Sequence, residues 1–167
     1  MTIKSLPNRI GFYPVCAVDY LDPLRILKDH IDQLYFCDIR HVPRSTSRLS
    51  EIRNIVREEN LPTPSFILGD ALSAIKVLRP VDVFFHRRDS TGEGGSNLFL
   101  LGPDLIHSVV ESIKPNGIII TDLSFVGRWC FDLARGTIPR HEVGGRLVRR
   151  SIDQPFEQHG LTVLNVS

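Results

Sequence analysis

The sequence predicts an α/β fold, a three-layer sandwich built on a mainly parallel sheet, and three observations carry that expectation. The first is the stretch 10–38. A short apolar run ends at Pro14, Leu24, Ile26, Leu27 and Ile31 recur at helical spacing, and a second run from Leu34 to Cys37 stops at Asp38. Strand, helix and strand over roughly thirty residues form a βαβ unit, which makes its two strands parallel. The second observation is that this alternation repeats along the chain. The third is the run Ile118, Ile119, Ile120, Thr121. It is apolar without alternation, as a strand covered on both faces must be.

The remaining elements follow in order. Residues 1–9 are a polar lead-in. Ser45 and Ser47 both suit the cap of a second helix, whose stripe is Leu49, Ile52, Ile55 and Val56 and which ends near Asn60, before Pro62. Residues 64–68 read as a third strand, closed by Gly69 and Asp70, and 71–78 as a short helix. Residues 81–86 are a fourth strand, rich in β-branched and aromatic side chains. Residues 87–96 form a polar, glycine-rich loop. Pro103 opens a helix carried by Leu105, Ile106, Val109, Val110 and Ile113. Residues 114–117 are a turn, 118–121 the fifth strand, and Asp122 ends it. A helix within 125–134, a turn and short extended piece at 144–148, a helix at 152–159 and a last strand at 161–166 complete the chain. The whole reads as one domain.

Composition bounds the function. Hydrophobic residues make up 42% of 167 and charged residues 23%, ordinary for a soluble globule. A net charge of +1 provides no global field toward nucleic acid or membrane, although basic residues cluster at Arg87 and Arg88 and again through 140–150. Three cysteines without a CxxC spacing argue against a disulfide framework and a structural zinc site, so no metal is expected. The N-terminus has no apolar signal-peptide core, and no run reaches the roughly 20 apolar residues of a membrane span. The expected location is the cytoplasm.

The phrase Ile113-Lys114-Pro115-Asn116-Gly117-Ile118-Ile119-Ile120-Thr121-Asp122 resembles the helix–turn–strand before the fifth strand of class I S-adenosylmethionine-dependent methyltransferases. Asp38 ending the second strand, Gly69-Asp70-Ala71 after the third, and the tail His159-Gly160-Leu161-Thr162-Val163 match the same family. The resemblance implies a methyltransferase-like Rossmann fold with strand order 3-2-1-4-5 and the last strand outermost beside the fifth. The chain is small for that family, and room is not expected for the usual final hairpin plus a substrate domain. The resemblance also implies S-adenosylmethionine as a small-molecule cofactor, held by Tyr13, Pro14, Asp19, Asp38, Asp70 and Ala71. Asp38 would accept from both ribose hydroxyls, Asp70 would read the adenine amino group and Asp19 would hold the methionine amino group.

Each residue also has a structural alternative. Asp38 suits a loop cap, Asp70 a helix N-cap, and Asp19 or Asp22 the cap of the first helix. The first loop resembles family members with Tyr-Pro-Gly-x-Gly-x-Asp, yet Val15 and Ala17 stand where glycines are expected. A valine at positive φ is disfavoured, so this departure argues against ordinary cofactor binding.

After the fourth strand, amino-methylating relatives carry an Asn/Asp-Pro-Pro-aromatic motif, whereas this chain has His86-Arg87-Arg88-Asp89. His86 and Asp89 are the candidate catalytic residues, with His86 as a general base near neutrality or else a structural hydrogen-bonder. Arg87, Arg88, Gly92, Gly94 and Gly95, with hydroxyls on Ser90, Thr91 and Ser96, suit a substrate anion such as phosphate or carboxylate. The spacing of a Walker loop is absent. Cys16 reads as a small buried residue. Three functions stay open: a methyltransferase of unidentified acceptor, a catalytically degenerate binding or assembly module with a protein partner, and a nucleotide- or phosphate-binding protein. Nucleic acid and membrane are not indicated.

Overall fold

The computed structural model describes residues 9–78, 80–90, 92–93 and 95–167. The expected lead-in before residue 9, together with Thr91 and Gly94, lies outside the described residues. The elements run β1 (Ile10–Pro14), α1 (Leu21–Leu27), β2 (Gln33–Asp38), α2 (Thr46–Glu58), β3 (Thr63–Leu68), α3 (Ala71–Leu78) and β4 (Val81–His86). They continue as α4 (Ile106–Glu111), β5 (Ile113–Thr121), α5 (Arg128–Ala134), β6 (His141–Val143), β7 (Arg146–Arg150) and β8 (Thr162–Val166).

All eight strands join one sheet in the order β3-β2-β1-β4-β5-β8-β7-β6. Strands β3, β2, β1, β4 and β5 are mutually parallel. Every later pairing is antiparallel. The sheet is therefore mixed, and the expected mainly parallel sheet is corrected. The order 3-2-1-4-5 stands, and β8 lies beside β5, but it is not outermost because a β6–β7 hairpin follows it. Gly144 and Gly145, with φ of 55° and 78°, explain the hairpin. Two successive positive φ values make the kind of tight turn that matches the twist of antiparallel strands.

Other boundaries shift for local reasons. The expected turn at residues 114–117 is a bulge inside β5: the register with β4 jumps from Val81↔Ile113 to Val83↔Ile118, and Asn116 takes φ 65°. Lys114 Nζ pins the bulge to Asp82 Oδ2 at 2.8 Å. The helix expected from 125 begins only at Arg128, because Phe125 holds φ 45°. The expected helix at 152–159 shrinks to a 3-10 turn, Glu157–His159. There Gln154 accepts from Val163 N at 2.8 Å and donates to Val163 O at 3.1 Å, so its side chain acts as a strand partner and draws the chain toward β8. Ser45, not Ser47, caps α2 by accepting from Arg48 N.

Two hydrophobic cores cover the two faces, and the strands feed them alternately. Phe12, Phe84 and Ile119 point to one core with Ile75 of α3, Val109 of α4 and Leu133 of α5. Tyr13, Phe85 and Ile120 point to the other with Leu24 and Leu27 of α1 and Ile52 of α2. The period of two along each strand sends neighbouring side chains to opposite layers. Gly11 is required by close packing, since a Cβ there would stand 2.8 Å from Leu34 Cδ1 and 3.0 Å from Ile31 Cδ1. After β3 the chain crosses back to β4 beside β1, and ligands of such sheets bind at this switch between β1 and β4, outside the carboxyl ends of the strands.

Candidate functional site

A cleft of about 260 Å³ opens at that edge. Each parallel strand of the switch contributes a loop: Val15 and Ala17 after β1, Asp38 and Ile39 after β2, Asp70 and Ala71 after β3. The loop after β4 returns over it through Ser96, Asn97 and Leu98, and Arg88 and Asp89 also line it. Ile39 is 63% exposed at the mouth, and a Cβ on Gly69 would meet nothing within 4 Å, so the floor there is open.

The first loop takes an unusual backbone. Val15 has φ 49° and Ala17 φ 48°, both left-handed. These are the positions where glycines are expected from the resemblance, and the conformation is adopted without them. Such non-glycine residues persist only where surrounding contacts over-determine them. Here Cys16 N donates to Cys37 O at 3.2 Å, Ala17 N to Asp38 Oδ2 at 3.0 Å and Asp19 N to Cys16 O at 3.0 Å. Arg88, Asn97, Leu123 and Phe125 also have positive φ, so most of the left-handed non-glycine residues among the described ones gather on this rim.

Asp38 is 7% exposed. Its Oδ1 accepts from Arg40 N at 2.8 Å and His41 N at 2.9 Å, and its Oδ2 from Ala17 N. A carboxylate has about four acceptor positions, and three are filled. Asp38 thus ties the β1 and β2 loops together and keeps capacity for one further donor, where the resemblance implies two. Asp70 caps α3 by accepting from Ser73 N at 2.8 Å through Oδ2, and among the described residues no bond reaches its Oδ1. Ala71, 5% exposed, opens that helix at the cleft wall.

Asp19 has no such capacity. Arg87 grips it with Nε to Oδ2 and Nη2 to Oδ1, each at 2.8 Å. The Tyr13 hydroxyl donates to Oδ2 at 2.9 Å and Arg88 Nη1 to Oδ1 at 3.3 Å. All of about four acceptor positions are taken. Arg87 itself is 6% exposed and lies over the Phe85 ring at 5.5 Å. The guanidinium expected to bind an anion is therefore spent on an internal carboxylate. Burial, and then the Asp19 charge, push the Tyr13 hydroxyl far above its ordinary pKa, so it stays a donor. Pro14 ends β1 opposite Cys37 and is buried.

His86 is fully buried, with Nδ1 3.4 Å from Thr121 Oγ1. Its Nε2 has no hydrogen-bond partner among the described residues and stands 3.8 Å from Asp89 Oδ2, too far for a hydrogen bond. His86 does not reach the cleft; Asp89 does. Asp89 organises the loop above it, accepting from Ser90 N at 2.9 Å, Ser96 N at 2.8 Å and Ser96 Oγ at 2.5 Å. Burial works against that charge, but the His86 ring and the bonds from Ser96 and Ser90 outweigh it and hold the carboxyl below its ordinary range. Arg88 N donates to Asp122 Oδ2 at 2.9 Å. Gly92 O accepts from Gly95 N at 3.0 Å, and a Cβ on Gly95 would fall 1.8 Å from Ser90 O. Gly95 serves close approach of backbone to backbone, and among the described residues no bond donates from Gly92 or Gly95 toward the cleft.

The pattern of residue types did not reveal Ser124, whose Oγ accepts from Asp89 N at 3.1 Å, nor the amides of Arg40 and His41 on Asp38. Their only sequence signal is a hydroxyl or loop residue near a strand end. Among the described residues no group of three or more His, Cys, Asp or Glu is placed to hold a metal ion, and no helix is long and apolar enough to cross a membrane.

No protein-family model and no curated protein matches this sequence. Solved structures do match. A methyltransferase from Geobacter sulfurreducens superposes with a TM-score of 0.51 at 12% identity, over 95% of this chain and 70% of that one. A protein from Streptococcus mutans in complex with SAH gives 0.48 at 13%, over 95% and 88%. A methyltransferase homolog protein from Pyrococcus horikoshii gives 0.47 at 15%, over 95% and 61%. At 12% identity the first likeness shows a shared fold: the chain has a class I methyltransferase-like Rossmann fold.

Proposed function

We propose that this chain is a methyltransferase-like protein whose cleft binds the adenosine part of S-adenosylmethionine or a related ligand. The observation that carries this reading is the first loop. Val15 and Ala17 hold left-handed backbone, at a cost of about 1–3 kcal/mol each, beside an open cleft at the switch point of the sheet. A loop kept strained with no glycine to ease it is one whose shape matters. Asp38 would take one ribose hydroxyl, the unbonded Oδ1 of Asp70 would take the adenine amino group, and Val15, Ile39 and Leu98 would flank the ring.

The test is a thermal-shift titration with adenosine, S-adenosylmethionine and S-adenosylhomocysteine. A ligand that binds only the folded state adds about 2.7 kcal/mol at a hundredfold excess over its Kd. A dose-dependent rise in Tm with any of the three is expected. No shift with all three at millimolar concentration overturns the reading.

A second reading is a binding or assembly module that no longer transfers a methyl group. The observation favouring it is Arg87 on Asp19, which leaves no acceptor for the methionine amino group. Methyl transfer from S-adenosylmethionine to any acceptor would count against it.

A further inference from the structure

We infer that the cleft selects an adenosine ligand whose 5′ substituent carries no ammonium group, and that Arg87 sets this specificity. The inference rests on the adenosine reading above and concerns the other end of the same ligand.

The charges that a ligand can reach decide it. Asp19 ends the first loop, and its side chain is only 11% exposed. With four donors on two oxygens, it has no position left for an ammonium group. Replacing Arg87 by a ligand amine would exchange a two-pronged guanidinium contact for a point charge and strand the buried guanidinium. Truncating one partner of a buried pair is costly for the same reason. The neighbouring charges do not help a cation. Arg88 is 61% exposed and lines the cleft, and with Arg87 it balances Asp19 and Asp22. On the far side Arg40 and His41 are exposed at the same cleft.

The acidic lining residues offer little in return. Asp89 has three of about four positions taken by Ser90 and Ser96, and Asp38 likewise has one left. Asp70 keeps one oxygen and lies at the adenine end. A group attached at the ribose 5′ position therefore meets guanidiniums and a sated carboxylate. An uncharged or anionic group fits there, and an ammonium does not.

Two probes isolate the ammonium group. S-adenosylhomocysteine and its deaminated analogue, 5′-S-(3-carboxypropyl)-5′-thioadenosine, share the adenosine, the 5′ thioether and the terminal carboxylate and differ only in the amine. Calorimetric titration of the intact chain should give a Kd for the deaminated analogue equal to or below that for S-adenosylhomocysteine. A lower Kd for S-adenosylhomocysteine overturns the inference and leaves the adenosine reading standing. Binding of neither probe, nor of adenosine, overturns both. Arg87→Met keeps much of the apolar stem and frees Asp19. It should favour S-adenosylhomocysteine over the deaminated analogue by at least about tenfold relative to the parent, or ~1.4 kcal/mol. An unchanged ratio in a folded Arg87→Met variant overturns the inference. If that variant does not fold, the ratio in the parent protein still decides.

Discussion

Ala17 carries a Cβ in a backbone region that suits glycine, and it is only half-buried, so little packing would be lost with the methyl group. Ala17→Gly relieves the strain, and the relief exceeds the added freedom of the unfolded chain. The expected outcome is a gain of about 0.5–1 kcal/mol in urea unfolding with an unchanged slope. A loss of stability would mean that the methyl group makes a contact worth more than the strain. Val15 is the less suitable probe, because its side chain also packs against one core. Asp19 and Asp38 show at the same scale how alike residues part company. Both are acidic loop residues near a strand end, yet one is filled by guanidiniums and a phenol and the other by backbone amides. Side-chain type does not distinguish them; the partners do.

At the scale of elements, the loop after β4 is the most informative. It is folded back on itself by a single carboxylate, Asp89, which receives donors from Ser90 and Ser96 and faces buried His86. Because the Asp89 carboxyl is held below its ordinary value in the fold, its contribution is complete above the unfolded pKa of about 4 and is lost as pH falls through the lower folded value. The stability difference between the parent and Asp89→Asn should therefore be largest near neutrality and shrink on acidification below pH of about 4. Urea midpoints of the two proteins across that range check it, and a difference independent of pH would show that Asp89 acts through packing alone. The α-helical elements are simpler. Asp70 and Ser45 cap α3 and α2, and both caps lie within three residues of the amide they satisfy. Local reach of this kind is why these two starts were legible in the sequence.

The whole molecule keeps three thiols out of water. Cys37 and Cys130 are buried and pushed up to about 12, and Cys16 further still, with burial as the leading cause in each case. A raised folded pKa contributes stability that is complete below the unfolded value and lost as pH rises. Stability should thus decline above pH of about 8.5, where the unfolded thiols ionise and the folded ones do not, and Cys130→Ala should make the decline shallower. None of the three should react with DTNB at pH 8 until urea unfolds the chain. Rapid reaction of the native protein would place a thiol at the surface.

The parallel half of this protein is legible in the sequence. The apolar runs of β1, β2, β3 and β4, the helical period of α2 and the bounds of α3 all follow from side-chain spacing and from caps a few residues away. Such signals are local, so a linear reading recovers them. The antiparallel half was less legible. The Gly144-Gly145 turn was visible, but the three residues of β6 gave too short an alternation to identify as a strand. The site depends on contacts that folding alone brings together. Arg87 reaches Asp19 across 68 residues, and Asp89 reaches Ser124 across 35. Folding also decided that Val15 and Ala17 hold left-handed backbone, against the local preference that spoke against it. Charge pairing and backbone strain depend on what packing brings within about 3 Å, and sequence spacing carries no measure of that distance.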